Sequence, residues 1–476
     1  MTSHPHRWRI LAVVATAFFM TILDVSIVNV ALPTIGEDLN FSRENLQWVI
    51  TAYTIAFGGF LLLGGRAADL LGRRRVFMAG VALFTIASLV CGLSTSEGML
   101  IAARAVQGLG GAIISPAALS IVMTSFDEGA ERNKALGVWG ALGGSGAAVG
   151  VLAGGVLTEK AGWEWIFWVN VPVGILVLVL TPIIVPESRR ETARRRYDPL
   201  GAISVTAGLA LLVYAISEAP NVGWATARTI LLLIVAAALL FAFLVIERTV
   251  EEPLMPFRIF RVRTVAGANA VGALLGAVIF SNFFLLTLYV QNVLGFSALK
   301  TGFTFVATAG TAVISAGVAQ ALTTRFGAKP IMTIGLILLT AAMVWYSQIP
   351  TDGSYVSDLL PGYLMVGVGI AFAFVPVSIA ALAGVAEREA GLASGLINTS
   401  QQIGGAIGVA VASTVFTSRF DSLVTDGDAI PAALTGGYRW AFWALVIFGA
   451  GAVIAAVTLI RREEMAETPT TAPSAG

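Results

Sequence analysis

The chain is a succession of long apolar runs separated by short polar breaks, and the runs are too long for the core of a soluble protein. Fourteen of them, each about 18 residues or longer, fall near 10–34, 45–64, 76–94, 99–122, 135–157, 165–185, 199–217, 229–246, 264–291, 301–321, 330–347, 359–381, 391–417 and 439–460. About 20 apolar residues cross the hydrocarbon of a bilayer as a helix, which satisfies its backbone groups internally. The pattern predicts an all-α integral membrane protein with fourteen transmembrane helices. A faint repeat divides it. After the second run the chain reads ADLLGRRRVFMAG, and after the tenth TTRFGAKPIMTIG, which sets Gly72 opposite Gly327, Asp69 opposite Thr324 and Arg74 opposite Lys329. That spacing implies two six-helix bundles with two helices inserted between them.

Four segments follow: an N-terminal six-helix bundle over 1–185, two inserted helices with basic loops over 186–263, a C-terminal six-helix bundle over 264–460, and a disordered polar tail over 461–476. The basic N-terminus and its apolar run are read as a retained first helix, because many further spans follow and Asp24 interrupts the run. Charge supplies an orientation. With the N-terminus inside, the inner segments hold 22 of the 29 Lys and Arg residues and the outer ones 6, which predicts that both termini are cytoplasmic. The basic breaks RAADLLGRRR (Arg66 to Arg75) and PESRRETARRRYD (Pro186 to Asp198) carry much of that bias.

Composition narrows the chemistry. Of the 476 residues 57% are hydrophobic and 12% charged, where soluble proteins carry about 25% charged residues. The net charge of +1 comes from basic residues scattered over short loops, so no nucleic-acid surface is expected. Cys91 is the single cysteine and His4 and His6 are the two histidines, both in the N-terminal tail. No metal site, disulfide, catalytic cluster or cofactor is expected, and the chain has no phosphate-binding GxxxxGK[ST] loop.

Against that background two charged residues stand out. Asp24 lies near the middle of the first run, where a carboxylate costs about 2.5–3.5 kcal/mol on insertion scales. Arg104 is the one Lys or Arg deep inside a predicted span, Arg439 standing at the outer edge of the last. A cation near a carboxylate favours its ionised form while burial favours the protonated one, so an Asp under both influences can switch with water access. The plainer alternatives are a buried ion pair that only fixes packing, and Arg104 as a clamp between helices.

Four stretches carry a family resemblance. LDVSIVNVALPTI (with Asp24, Asn29 and Pro33), GRAADLLGRRR, RAVQGLGGAIISPA (with Arg104) and GALGGSGAAVGVLAGGVLTE resemble the motifs of the fourteen-span drug:proton antiporters of the major facilitator superfamily. WEWIFWVNVPVG, LYVQNVLGFSALKTG and GLASGLINTSQQIGGAIG are similar to further family stretches, and the likeness covers nearly the whole chain. The resemblance implies parallel halves built from inverted repeats, proton coupling through Asp24 and Arg104, and a gating loop with Gly65, Asp69, Gly72 and Arg73. It also implies an antiporter fifth helix with Gly146, Gly150, Gly154 and Gly155. Two positions depart from it: Leu70 stands where a basic residue is common, and Val151 where the antiporters carry Pro.

Mixed aromatic and amide positions are candidates for holding an amphipathic substrate: Asn29, Tyr53, Gln107, Asn282, Phe284, Tyr289, Asn398 and Gln402. Helix packing or lipid contact is the ordinary role of such residues, and Asn398 with Gln402, four apart, share a helix face. The resulting expectation is a proton-coupled exporter of amphipathic drugs or antibiotics, monomeric, in a bacterial plasma membrane, with protons, small organic molecules and lipid as partners. The alternatives are an importer or symporter of the same superfamily, a passive pore, or a membrane enzyme.

Overall fold

The computed structural model describes residues 6–41, 46, 48–126, 130–188, 198–250, 253, 255, 259–260, 262–383, 385 and 390–460. Residues 189–197 of the second basic loop, His4 and the 461–476 tail lie outside them. The described residues form fourteen long helices: α1 Arg7–Asp38, α2 Trp48–Leu71, α3 Arg73–Gly92, α4 Glu97–Ser125, α5 Ala130–Lys160, α6 Trp165–Ile184, α7 Pro199–Val222, α8 Ala227–Thr249, α9 Arg263–Asn292, α10 Leu299–Phe326, α11 Ala328–Tyr346, α12 Tyr355–Ala381, α13 Ala390–Thr425 and α14 Ile430–Leu459. Thirteen are long and apolar enough to cross a membrane. The other, α5, is the glycine-rich helix of 31 residues. Each predicted run has its helix. The largest differences are at α14, which starts well before its apolar run, and at α13 and α2, which continue past theirs.

Local chemistry sets several ends. Ser96 caps α4 by accepting from Met99 N–H, Asp198 caps α7 through Gly201 N–H (2.8 Å), and Thr226 caps α8. Between α2 and α3 a single residue, Gly72, turns the chain at φ +108°, and Gly327 does the same between α10 and α11 at φ +89°. The glycines aligned by the sequence repeat thus share a left-handed backbone that favours glycine. Gly65, also expected at that turn, lies inside α2 instead.

Packing divides the helices. Apart from α5 and α10, α1 to α6 pack mainly on one another, as do α9 to α14. Two seams join the groups: α13 lies on α2 and α4, while α5 lies on α10 and α12. The inserted helix α7 packs on both α2 and α13, and α8 packs on α7. Helix α5 can serve both groups because small residues line two of its faces. Gly146, Gly150 and Gly154 admit α1, where a Cβ at Gly154 would lie 2.7 Å from the Ile27 carbonyl, and a Cβ at Gly155 would lie 3.1 Å from Leu299 Cα of α10. Val151 is buried on an α-helix that runs unbroken through that position.

Candidate functional site

The deepest polar cluster lies between α1, α2, α3, α4 and α6. Helix α1 presents Ile27, Val28 and Ala31 to an apolar layer with Cys91, Leu100, Ala103, Ile166 and Phe167, and Asp24 is held on the same interior side. Gly108 of α4 lets the Tyr53 backbone of α2 come close, since a Cβ there would overlap the Tyr53 carbonyl. That approach brings Val49 and Tyr53 to Arg104.

Three donors converge on the Asp24 carboxylate. Arg104 Nη1 donates to Oδ2 at 2.5 Å, while Gln107 Nε2 and Asn170 Nδ2 donate to Oδ1 at 2.8 and 3.2 Å. Arg104 is itself constrained: Nη1 also reaches Gln107 Oε1 (2.6 Å), Nε donates to the Val49 carbonyl (2.9 Å), and the guanidinium lies 4.3 Å from the Tyr53 ring centroid. Gln107 Nε2 lies 2.7 Å from Ser88 Oγ, and Cys91 Sγ donates to Gln107 Oε1 at 3.6 Å. Asp24 and Gln107 are fully buried and Arg104 nearly so. Burial of two opposite charges demands this many partners, because each lone pair or N–H left unmet would carry its full desolvation cost. Three N–H donors aimed at its two oxygens suit the acceptor-only, ionised form of the carboxylate. Oδ2 accepts from Arg104 alone, so a proton arriving on Asp24 can take its remaining lone pair, and neutralising the carboxylate would weaken the charge-assisted hold of Arg104.

A second polar cluster lies at the end of the molecule where α1 begins. Asp69 is fully buried; Oδ1 accepts from Arg73 (3.3 Å) and Oδ2 from the backbone N–H of Leu392 in the first turn of α13 (3.1 Å). A carboxylate at a helix N-terminus meets unsatisfied N–H groups and the positive end of the helix dipole. This one joins α2 to a helix of the other group. Gly65 faces the same crossing, close to Gly395. Over the Gly72 turn lies the start of the segment after α6: Arg73 N–H donates to the Ser188 carbonyl, Arg74 N–H to Glu187 Oε1, and Glu187 pairs with Arg74 and Arg75 at 3.8 and 3.6 Å.

The residues expected to hold a substrate do not converge. Tyr53 and Gln107 belong to the Asp24 cluster. Asn29 is exposed and donates back to Val25 of its own helix. Asn282 and Tyr289 share the buried face of α9, whereas Phe284 lies on the opposite side, 37% exposed. Tyr289 donates to the Pro350 carbonyl at 2.5 Å. Asn398 accepts from Ser115 Oγ at 3.2 Å across the seam between α4 and α13, with Gln402 half-buried one turn on. Sequence reasoning missed Asn170, Ser88 and the Val49 carbonyl. Asn170 lies within a stretch noted only for resemblance; a lone amide in an apolar run was its signal.

Comparison with known proteins places this architecture. Residues 14–409 match the model of the Major Facilitator Superfamily. The puromycin resistance protein pur8 of Streptomyces alboniger is 39% identical over 97% of this chain and 93% of its own length. The cephamycin export protein CmcT of Amycolatopsis lactamdurans is 39% identical over 92% and 89%. The structure of the human organic anion transporter MFSD10 superposes with a TM-score of 0.68 over 95% of this chain and all of that one, at 16% identity, which speaks for the fold alone. The chain belongs to the major facilitator superfamily.

Proposed function

We propose that this transporter exports small amphipathic organic molecules, antibiotics among them, from a bacterial cell in exchange for protons, with both termini in the cytoplasm. Relatives named for puromycin resistance and cephamycin export, which match it over nearly their whole length, support the direction and the class of cargo. The observation that carries proton coupling is the three-donor hold on the buried Asp24 carboxylate. Protonation of Asp24 weakens its attraction to Arg104, frees α4 and α6 to shift against α1, and so links proton entry to a change in which side is open. The Asp69 contact with Leu392 closes the cytoplasmic end, Arg73 holds Asp69 in place, and Gly65 and Gly72 allow the helices to approach there. The bundles 1–185 and 264–460 are the two moving bodies.

Energetics favour a modest stoichiometry. A potential of about 100 mV with one pH unit gives each entering proton roughly 3.7 kcal/mol. That sustains about a 500-fold gradient of a neutral substrate, but only about tenfold for a monovalent cation exchanged electroneutrally. One deep carboxylate fits one proton and a neutral or weakly charged substrate.

Asp24→Asn tests this reading. The variant keeps the volume and much of the hydrogen bonding, so it should insert and purify normally yet lose proton-driven efflux in vesicles of known orientation. Export against a gradient by that variant would remove Asp24 from coupling. A second reading, import by symport, is favoured by Val151 at the position where antiporters carry Pro; the direction of substrate movement in the same vesicles separates the two.

A further inference from the structure

Helix α13 is 36 residues long, about 54 Å at 1.5 Å per residue, so it overshoots the roughly 30 Å of hydrocarbon. Its last turns lie on the end of the molecule opposite the start of α1, beyond the apolar run that ends near residue 417. There α13, the first three turns of α14 and Thr351 enclose an open cavity of about 350 Å³. Two guanidiniums line it. Arg419 lies 5.6 Å from the Trp440 ring centroid, and its Nε is buried without a hydrogen-bond partner. Arg439 is fixed by Nε donating to the Ile349 carbonyl at 2.7 Å. Asp428 also lines the cavity, but among the described residues neither arginine forms an ion pair with it or with any other carboxylate. Thr435 also lines it, with its hydroxyl donating back to the Pro431 carbonyl at 2.8 Å.

Below the cavity the surface turns apolar along one line. Trp440, Trp443, Ile447 and Ile454 are 52%, 42%, 74% and 63% exposed. Their spacing of three, four and seven residues puts them on one face of α14. Exposed tryptophans at the mouth mark the depth at which amphipathic rings sit in a bilayer.

We propose that this cavity binds the phosphodiester headgroup of an anionic glycerophospholipid, with an acyl chain along the Trp443–Ile447–Ile454 stripe. Two arginines against one unpaired aspartate leave the cavity cationic, and guanidinium forks match phosphate oxygens. The apolar stripe distinguishes a lipid from a free anion, which would use only the cavity. The site is separate from the Asp24 cluster, so its failure would leave the transport reading untouched.

The test is lipid retention by the purified full chain, measured by native mass spectrometry with phosphatidylglycerol and phosphatidylcholine of equal chain length. Wild-type protein should retain phosphatidylglycerol at about tenfold lower concentration, the scale of a charge-assisted hydrogen bond. Arg419→Gln with Arg439→Gln should erase that preference. Arg419→Lys with Arg439→Lys should keep most of it, and guards against loss through misfolding. Unchanged preference in the glutamine variant overturns the site. Displacement of phosphatidylglycerol by equimolar inorganic phosphate would make it a free-anion site and overturn the lipid assignment.

Discussion

The two halves of the molecule bury polar groups in different ways. The N-terminal half holds an ion pair, Asp24 with Arg104, inside a shell of amides and a hydroxyl. The interior of the C-terminal half is built from tyrosines and threonines. Tyr289, Tyr346, Tyr363 and Tyr438 are almost fully buried, with Thr304 and Thr308 bonded to Tyr363 and Asn292 to Tyr438. No described residue deep in that half carries a charge. A hydroxyl network positions helices and responds little to a proton at physiological pH, because tyrosine ordinarily titrates near 10. A carboxylate held by a guanidinium responds directly. Among the described residues the deeply buried ion pair thus belongs to one half, while the other half pairs its buried polar groups through hydroxyls.

The largest effect that could break this contrast comes from Arg104→Gln. It strands Asp24 as an unpaired buried charge, which should cost about 3–5 kcal/mol and lower the thermal midpoint in detergent. Adding Asp24→Asn should recover most of that loss without restoring transport. If the single variant is as stable as wild type, the pair is not buried as described. Next in size is Asn170→Ala, which removes one donor to a charged group; a loss of about 1.5–3 kcal/mol and a weaker proton-coupled rate are expected. Unaltered coupling in vesicle assays would reduce Asn170 to packing. The smallest pair lies in the other half. Tyr363→Phe gives up the bond to Thr304 and should cost about 1 kcal/mol, whereas Tyr346→Phe removes a buried hydroxyl without a partner and should be neutral or stabilising. Both should keep full transport; a coupling defect in either would give the C-terminal half a proton role.

Much of the architecture was legible because bilayer thickness leaves so few options. Apolar run length located every helix, and the Gly72–Gly327 alignment found two turns with the same backbone. Asp24 and Arg104 were paired by elimination, since the charge census left no other deep basic residue. Residue type carried less information about faces. Asn282 and Phe284 share a mixed polar and aromatic stretch, yet residues two apart on a helix differ by about 200°, and the structure puts them on opposite sides. Asn170 was unreadable for another reason. It follows the short helix Trp165–Trp168 at the break inside α6, and which way a side chain leaves such a break depends on tertiary packing.

Helix α7 touches both halves on unequal terms. Against α2 it is interlocked, with Gly59 set close to Ala210 and the Thr206 carbonyl. Toward α13 it ends in a hydrogen bond from Trp224 Nε1 to Thr414 Oγ1 at 2.7 Å. In an alternating cycle a beam anchored on one body and pinned to the other concentrates their relative displacement at the pin. Indole emission depends on what the ring nitrogen bonds to, so in a variant with the other nine tryptophans replaced, Trp224 would report that displacement without a dye in the substrate path.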